Sequence, residues 1–206
     1  MMQRFNIEAT KKTFMHTWYV YPLVLGLITI IWIWSFMAFH QASAYQSLTL
    51  FFASEIKDES FAKDIMNEHY ERENLRVVRP FYSLPSAIGY YSKLQIYLSD
   101  SDLLILDQKT IDDFKGYQDR FFVPLTNEIK EKYHYSNFYT YEENDYGVLL
   151  KKKGENCWLN QYMDFDEQMD YYICFSTSSV NVGSLIENND TNDNALTYAS
   201  YLLHHE

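Results

Sequence analysis

The chain has 206 residues, 47% of them hydrophobic and 18% aromatic, with 28 acidic against 17 basic side chains and a formal net charge of −11. That balance argues against nucleic acid as a partner and against a domain lying flat on anionic lipid. Only 6 glycines and 4 prolines occur, which disfavours a disordered stalk or linker.

The first element in chain order dominates the rest. Trp18–Phe39, WYVYPLVLGLITIIWIWSFMAF, contains no charged side chain. A helix that crosses the hydrocarbon core needs roughly 20 apolar residues, and a single span has to be helical because lipid satisfies no backbone polar group. Trp18, Tyr19 and Tyr21 lie at one end and Trp32, Trp34 and Phe39 towards the other, the places that amphipathic rings take at membrane interfaces. Arg4, Lys11 and Lys12 precede the span, and no Lys or Arg occurs from His40 to Ile56. The positive-inside bias therefore predicts a cytoplasmic tail over 1–16, a transmembrane helix over 17–40 and an extracytoplasmic domain over 45–206. Ala42-Ser43-Ala44 offers small residues to a signal peptidase, but a signal h-region runs about 7–15 residues, so a retained single-pass anchor in the cell membrane is expected.

About 160 residues follow the span, enough for one domain with a real core. Gln46–Ala53 reads as a strand buried on both faces. A helix with Phe61, Ile65 and His69 on one face comes next, and then a strand around Leu75–Val78 ended by Pro80. Pro85 and Ser86 open a second helix, with Ile88, Tyr91, Leu94 and Leu98 at helical spacing. Asp102–Asp107 forms a third strand, and Lys109-Thr110 starts a third helix carrying Ile111, Phe114 and Tyr117. This alternation implies a parallel sheet with right-handed crossovers. Beyond Pro124 the pattern changes to a helical turn at Glu128–Tyr133, antiparallel strands at Phe138–Tyr141 and Gly147–Leu150, and a strong strand at Tyr171–Ser176. The loop Thr177–Asp193 and a helix over Asn194–His204, with Ala195, Tyr198, Ala199 and Leu202 inward, complete the chain. The fold class is α/β: one N-terminal transmembrane helix and a compact domain with a parallel sheet, crossover helices and a small antiparallel part.

The segments LTLFFAS, SDLLILD with its following helix, YYICFSTSSVNVG and DNALTYASYLL together resemble the external domain of short Firmicutes membrane proteins. Those proteins carry a basic tail, one N-terminal helix and a domain similar to type 2 periplasmic (solute) binding proteins. The resemblance covers most of residues 45–203 and implies a truncated binding-protein-like domain, since full binding proteins usually spread over two lobes and more residues.

No nucleophile elbow, phosphate loop, metalloprotease helix or paired-cysteine metal motif occurs, so neither an enzyme nor a cofactor or metal is expected. Asp190, Asn192 and Asn194 have calcium-loop spacing, but Ala195 and Tyr201 replace the required Gly and Glu, and helix capping accounts for them. His204-His205 reads as a helix tip. Asp164, Asp166, Glu167 and Asp170 read as a solvated acidic turn that could pair as acid and base, and Lys151-Lys152-Lys153 as a solvated basic turn. Cys157 and Cys174 are either a disulfide, which an extracytoplasmic location permits, or two separately buried thiols. In open α/β sheets ligands bind outside the carboxyl ends of the parallel strands. That rule selects Ser54, Glu55, Tyr82, Ser83 and Asp107 as ligand-binding candidates, the competing reading being helix capping. The expected function is a membrane-anchored, non-catalytic accessory module that captures a small solute or peptide. The alternative is an interaction subunit that contacts a transporter or another membrane protein.

Overall fold

The computed structural model describes residues 18–40, 42–61, 63–64, 75–186 and 192–204, and the side chains of 38–40 are not among them. The tail 1–16, Ile65, His69, Asp190 and His205 lie outside the described residues. The chain divides into two compact units, residues 1–41 and 42–206. The first contains α1 (Val20–His40), 21 residues whose Val20–Met37 window has a mean hydropathy of 2.0 and no buried share. At about 1.5 Å per residue it is roughly 31 Å long, the thickness of a bilayer's hydrocarbon. The Thr29 hydroxyl donates to the Leu25 carbonyl at 2.8 Å, so this polar atom finds its partner inside the helix. By length and composition α1 is the one candidate membrane span among the described residues.

The second unit is built on a six-stranded mixed sheet in the order β3-β1-β4-β8-β6-β5. The strands are β1 (Ser47–Phe52), β3 (Val77–Tyr82), β4 (Leu103–Asp107), β5 (Phe138–Tyr141), β6 (Asn144–Lys151) and β8 (Tyr171–Phe175). A two-stranded pair, β2 (Glu55–Ile56) with β7 (Met163–Asp164), lies apart from it. β1 pairs in parallel with β3 and with β4, as the alternation of strands and helices predicts. The antiparallel part is larger than expected: besides the β2–β7 pair, three antiparallel strands continue the main sheet. β8 adds antiparallel to β4 and extends the same sheet through β6 to β5. The reason is that LLILD is buried at all five positions and needs a neighbour on each side.

Residues alternate across the sheet with period two, and both faces are covered. Leu48, Leu50 and Phe52 of β1, Leu103 and Ile105 of β4, and Ile173 and Phe175 of β8 share one core with α5 (Asn194–His204). Phe51, Leu104, Leu106 and Cys174 share the other with α2 (Tyr90–Asp100). Cys157 packs against the α5-side core and Cys174 is buried in the α2-side core; both are free thiols. The sheet separates them, and the disulfide weighed from sequence is not formed.

Three local expectations need correction. Pro80 lies inside β3 rather than ending it, because β3 is an edge strand and does not need every N–H for the ladder. α2 starts at Tyr90, after Gly89 adopts a left-handed φ of 81°, so its buried face is Tyr90, Leu94 and Leu98, while Ile88 and Tyr91 are exposed. Lys151 is not in a solvated turn: it is 2% exposed, and its Nζ donates to the carbonyls of Asp166 (3.0 Å) and Met169 (3.4 Å). Two short helices, α3 (Gln108–Asp112) and α4 (Asn127–Lys132), complete the five described.

Asn192 and Asn194 do a different task from the calcium spacing they imitate, and Asn181 shares it. Asn192 and Asn194 each donate to the Tyr45 carbonyl, at 2.7 and 2.9 Å, and Asn181 donates to the Ser47 carbonyl at 3.0 Å. These amides fasten the entry of β1 to the start of α5. Among the described residues no group of three or more His, Cys, Asp or Glu could hold a metal ion.

Candidate functional site

β4 delivers Asp107 to the carboxyl end of the parallel strands. Its carboxylate caps α3, accepting from the Thr110 backbone N–H at 3.0 Å and from the Thr110 hydroxyl at 2.6 Å. With that proton committed, the Tyr90 hydroxyl 3.2 Å away is the donor to Thr110 Oγ1, and burial raises the Tyr90 pKa above the ordinary phenol value. The side chain of Asp107 is thus held in one orientation by a short chain of hydrogen bonds.

An open cleft of about 370 Å³ begins at this point. Its base contains Asp107, Thr110, Phe165 and Tyr171, all buried. Leu84, Pro85, Ser86 and Tyr91 line it from the segment after β3 and the start of α2. Asp164, Asp166 and Met169 line it from β7 and the turn before β8, and Lys109 completes the lining. The wall after β7 is placed by long-range contacts. Glu55 and Ile56 pair with Asp164 and Met163, and Lys151 holds the Asp166 and Met169 carbonyls from below the turn. The Tyr171 hydroxyl accepts from the Asp166 backbone N–H at 3.0 Å, and its pKa is pushed up to about 12, first by burial and then by the charges of Asp107, Asp166 and Asp164. Tyr91 is exposed, and its hydroxyl donates to Asp113 at 2.6 Å, the main cause of its raised pKa.

The cleft lies where the strand-end rule locates a ligand site, but only one of the five candidates lines it. Asp107 does. Ser54 and Ser83 are buried, and neither hydroxyl has a hydrogen-bond partner among the described residues. Tyr82 is half-buried with its ring stacked on Phe52 at 5.7 Å, and burial followed by the Glu59 charge raises its pKa. Glu55 is exposed in β2 and acts on the cleft by pairing with Asp164. Thr110 reaches the cleft in the first turn after β4, at the helix start that the sequence places there, whereas no local signal marks Phe165 and Tyr171: they arrive through the pairing of β7 with β2 and of β8 with β4, across more than fifty residues. The acidic turn gave a partial signal, since Asp164 and Asp166 line the cleft, while Asp170 accepts from the Lys153 backbone N–H.

A second, more polar recess of about 290 Å³ lies at the opposite end of β4, beside Asp102. There the carboxylate accepts from the Thr49 N–H at 2.7 Å, the Asn181 amide at 2.9 Å and the Ser179 hydroxyl. Burial outweighs these three hydrogen bonds and raises the Asp102 pKa. Comparison of the chain with protein-family models, with curated proteins and with solved structures gave no match.

Proposed function

We propose that this protein is a membrane-anchored, non-catalytic binding module, with a truncated domain similar to type 2 periplasmic binding proteins held outside the cell by α1. The observation that carries the reading is the cleft at the carboxyl ends of the parallel strands, of a volume that small-molecule sites occupy. Its mixed lining of aromatic, apolar and convergent polar groups supports capture of a small solute or peptide. The alternative, an interaction subunit of a membrane complex, draws support from the fully exposed Ile88 beside exposed Leu84 and Tyr91.

A thermal-shift screen of the detergent-solubilised full chain against amino acids, sugars and short peptides tests the first reading, because a ligand of the folded state raises its melting temperature. Capture predicts a shift that Asp107→Ala removes. A chain that no solute shifts, and that co-purifies with a membrane partner in an Ile88-dependent way, establishes the alternative. Impermeant labelling of cysteines introduced at Gln3 and Asn189 in intact cells tests the orientation. Reaction at position 189 alone is expected, and reaction at position 3 alone overturns it.

A further inference from the structure

We infer that the cleft receives an uncharged stretch of extended peptide and holds the backbone N–H and C=O of one of its residues between Asp107 and Tyr171. This rests on the cleft being the binding site and narrows its ligand from small solutes in general to a peptide backbone.

Asp107 and Tyr171 are directly opposed across the antiparallel pairing of β4 with β8, so their side chains leave the same face of the sheet as neighbours. One has room for a donor and the other lacks an acceptor. Tyr171 is 2% exposed, and its hydroxyl accepts from the Asp166 backbone N–H, while its own proton meets no acceptor among the described residues. A buried polar group with an unused proton at the base of a cleft marks a place that a ligand acceptor completes. Each Asp107 oxygen accepts one hydrogen bond from Thr110, although a carboxylate oxygen can take two. In an extended chain one residue turns its N–H and its C=O to the same side, as in the hydrogen-bonded pairs of antiparallel strands. Those two groups supply the acceptor that Tyr171 lacks and a further donor to Asp107.

Charge and shape narrow the choice. Asp107, Asp164 and Asp166 line the cleft, and three lysines answer them: Lys109 in the lining, Lys57 at 2.8 Å from Asp164, and Lys151 on the Asp166 carbonyl at 3.0 Å. Three charges of each sign leave no surplus for a free ammonium or a free carboxylate, so the fit is to the inner, uncharged part of a chain. A hydroxyl of a sugar also bridges a donor and an acceptor, but it leaves the apolar lining unused. Leu84, Pro85, Phe165 and Met169 supply that lining, and the Tyr91 hydroxyl is committed to Asp113, so Tyr91 offers its ring. Ile88, fully exposed in the turn between Leu84 and Tyr91, adds apolar surface for a neighbouring side chain. A volume of about 370 Å³ stands near the lower end of ligand sites, roughly 300–1,000 Å³, and takes a short segment with one large side chain rather than a folded partner.

Isothermal calorimetry on the detergent-solubilised full chain tests this with four probes: acetyl-Ala-Leu-Ala-amide, whose single large side chain fixes the register, the same peptide methylated on the leucine nitrogen, free leucine, and sucrose. The expected result is binding of the capped tripeptide, weakened about tenfold by the N-methyl group, which removes one hydrogen bond to a carboxylate, with leucine and sucrose weaker or silent. Tyr171→Phe keeps the ring, deletes the proton and weakens the capped tripeptide about tenfold, while Ser179→Ala, at the opposite end of β4, leaves its affinity unchanged. The N-methyl comparison is made on wild type and so does not depend on how well the Phe variant folds. Equal binding of the methylated peptide, or tighter binding of leucine or sucrose, overturns the peptide assignment and leaves the cleft as a capture site. Silence with all four probes also overturns it, and a solute found in the wider thermal-shift screen then still supports capture. Silence in both experiments removes both readings.

Discussion

The two ends of β4 carry the same residue in different circumstances. Asp102, just before the strand, is closed in by its own chain: a backbone N–H from β1 and a hydroxyl and an amide from the loop after β8 occupy three of its acceptor positions. Asp107, at the far end, is held by a single residue, Thr110, and borders an open cleft. Both side chains are buried, so burial alone does not distinguish a structural carboxylate from one available to a ligand. The count and origin of hydrogen-bond partners does. A carboxylate satisfied by distant segments ties a fold together, and one satisfied within a single turn leaves capacity on its open side.

The largest expected effect follows from the closed end. Asp102→Ala strands the Thr49 N–H and the Ser179 hydroxyl in the interior, leaves the Asn181 amide with one acceptor fewer, and costs about 3 kcal/mol in denaturant unfolding. Asp107→Ala removes a cap and one hydroxyl partner and costs about 1–2 kcal/mol. If the second substitution destabilises more than the first, the distinction between the two ends is wrong.

The pH dependence sharpens the comparison by its sign. The folded pKa of Asp102 is raised, so between the ordinary carboxylate value near 4 and that raised value the folded state binds more protons than the unfolded one. Its contribution to stability is present at low pH and is lost as pH rises through the folded pKa. Asp193 behaves in the opposite way. Burial alone would raise its pKa, but hydrogen bonds from Ser184, Lys132 and Tyr133 outweigh that and lower it, so its contribution is present at neutral pH and is lost on acidification. Stability measured between pH 3 and 7 should therefore show the advantage of wild type over Asp193→Asn shrinking towards acid, while wild type gains relative to Asp102→Asn over the same range. Parallel curves for the two variants contradict these assignments. The smallest effect belongs to the open wall: Asp166→Asn, at an exposed position, should change stability by less than about 0.5 kcal/mol.

Much of this architecture is legible in the sequence because the signals are local. Uncharged length marks α1, continuous apolar runs mark β1, β4 and β8, and the spacing of Ala195, Tyr198, Ala199 and Leu202 marks the buried face of α5. The start of α2 was misplaced because Pro85 and Ser86 imitate a helix opening, while the left-handed Gly89 controls where the helix begins. Lys151 was misread because nothing local shows that the carbonyls of a turn fifteen residues away fold over its ammonium. The site was legible as a region and not as a set of residues. The strand-end rule locates the cleft through Asp107, whereas Tyr171 and Asp166 arrive by antiparallel addition of β8 and by the pairing of β2 with β7.

The most direct test of the account is a thermal-shift comparison of three full-length proteins, wild type, Asp107→Ala and Ser179→Ala, against one solute panel. A ligand-dependent rise in melting temperature is expected for wild type, one that Ser179→Ala, at the closed end, preserves on its own lower baseline and Asp107→Ala abolishes. A rise that survives Asp107→Ala and disappears in Ser179→Ala would put binding at the opposite end of β4 and contradict the account.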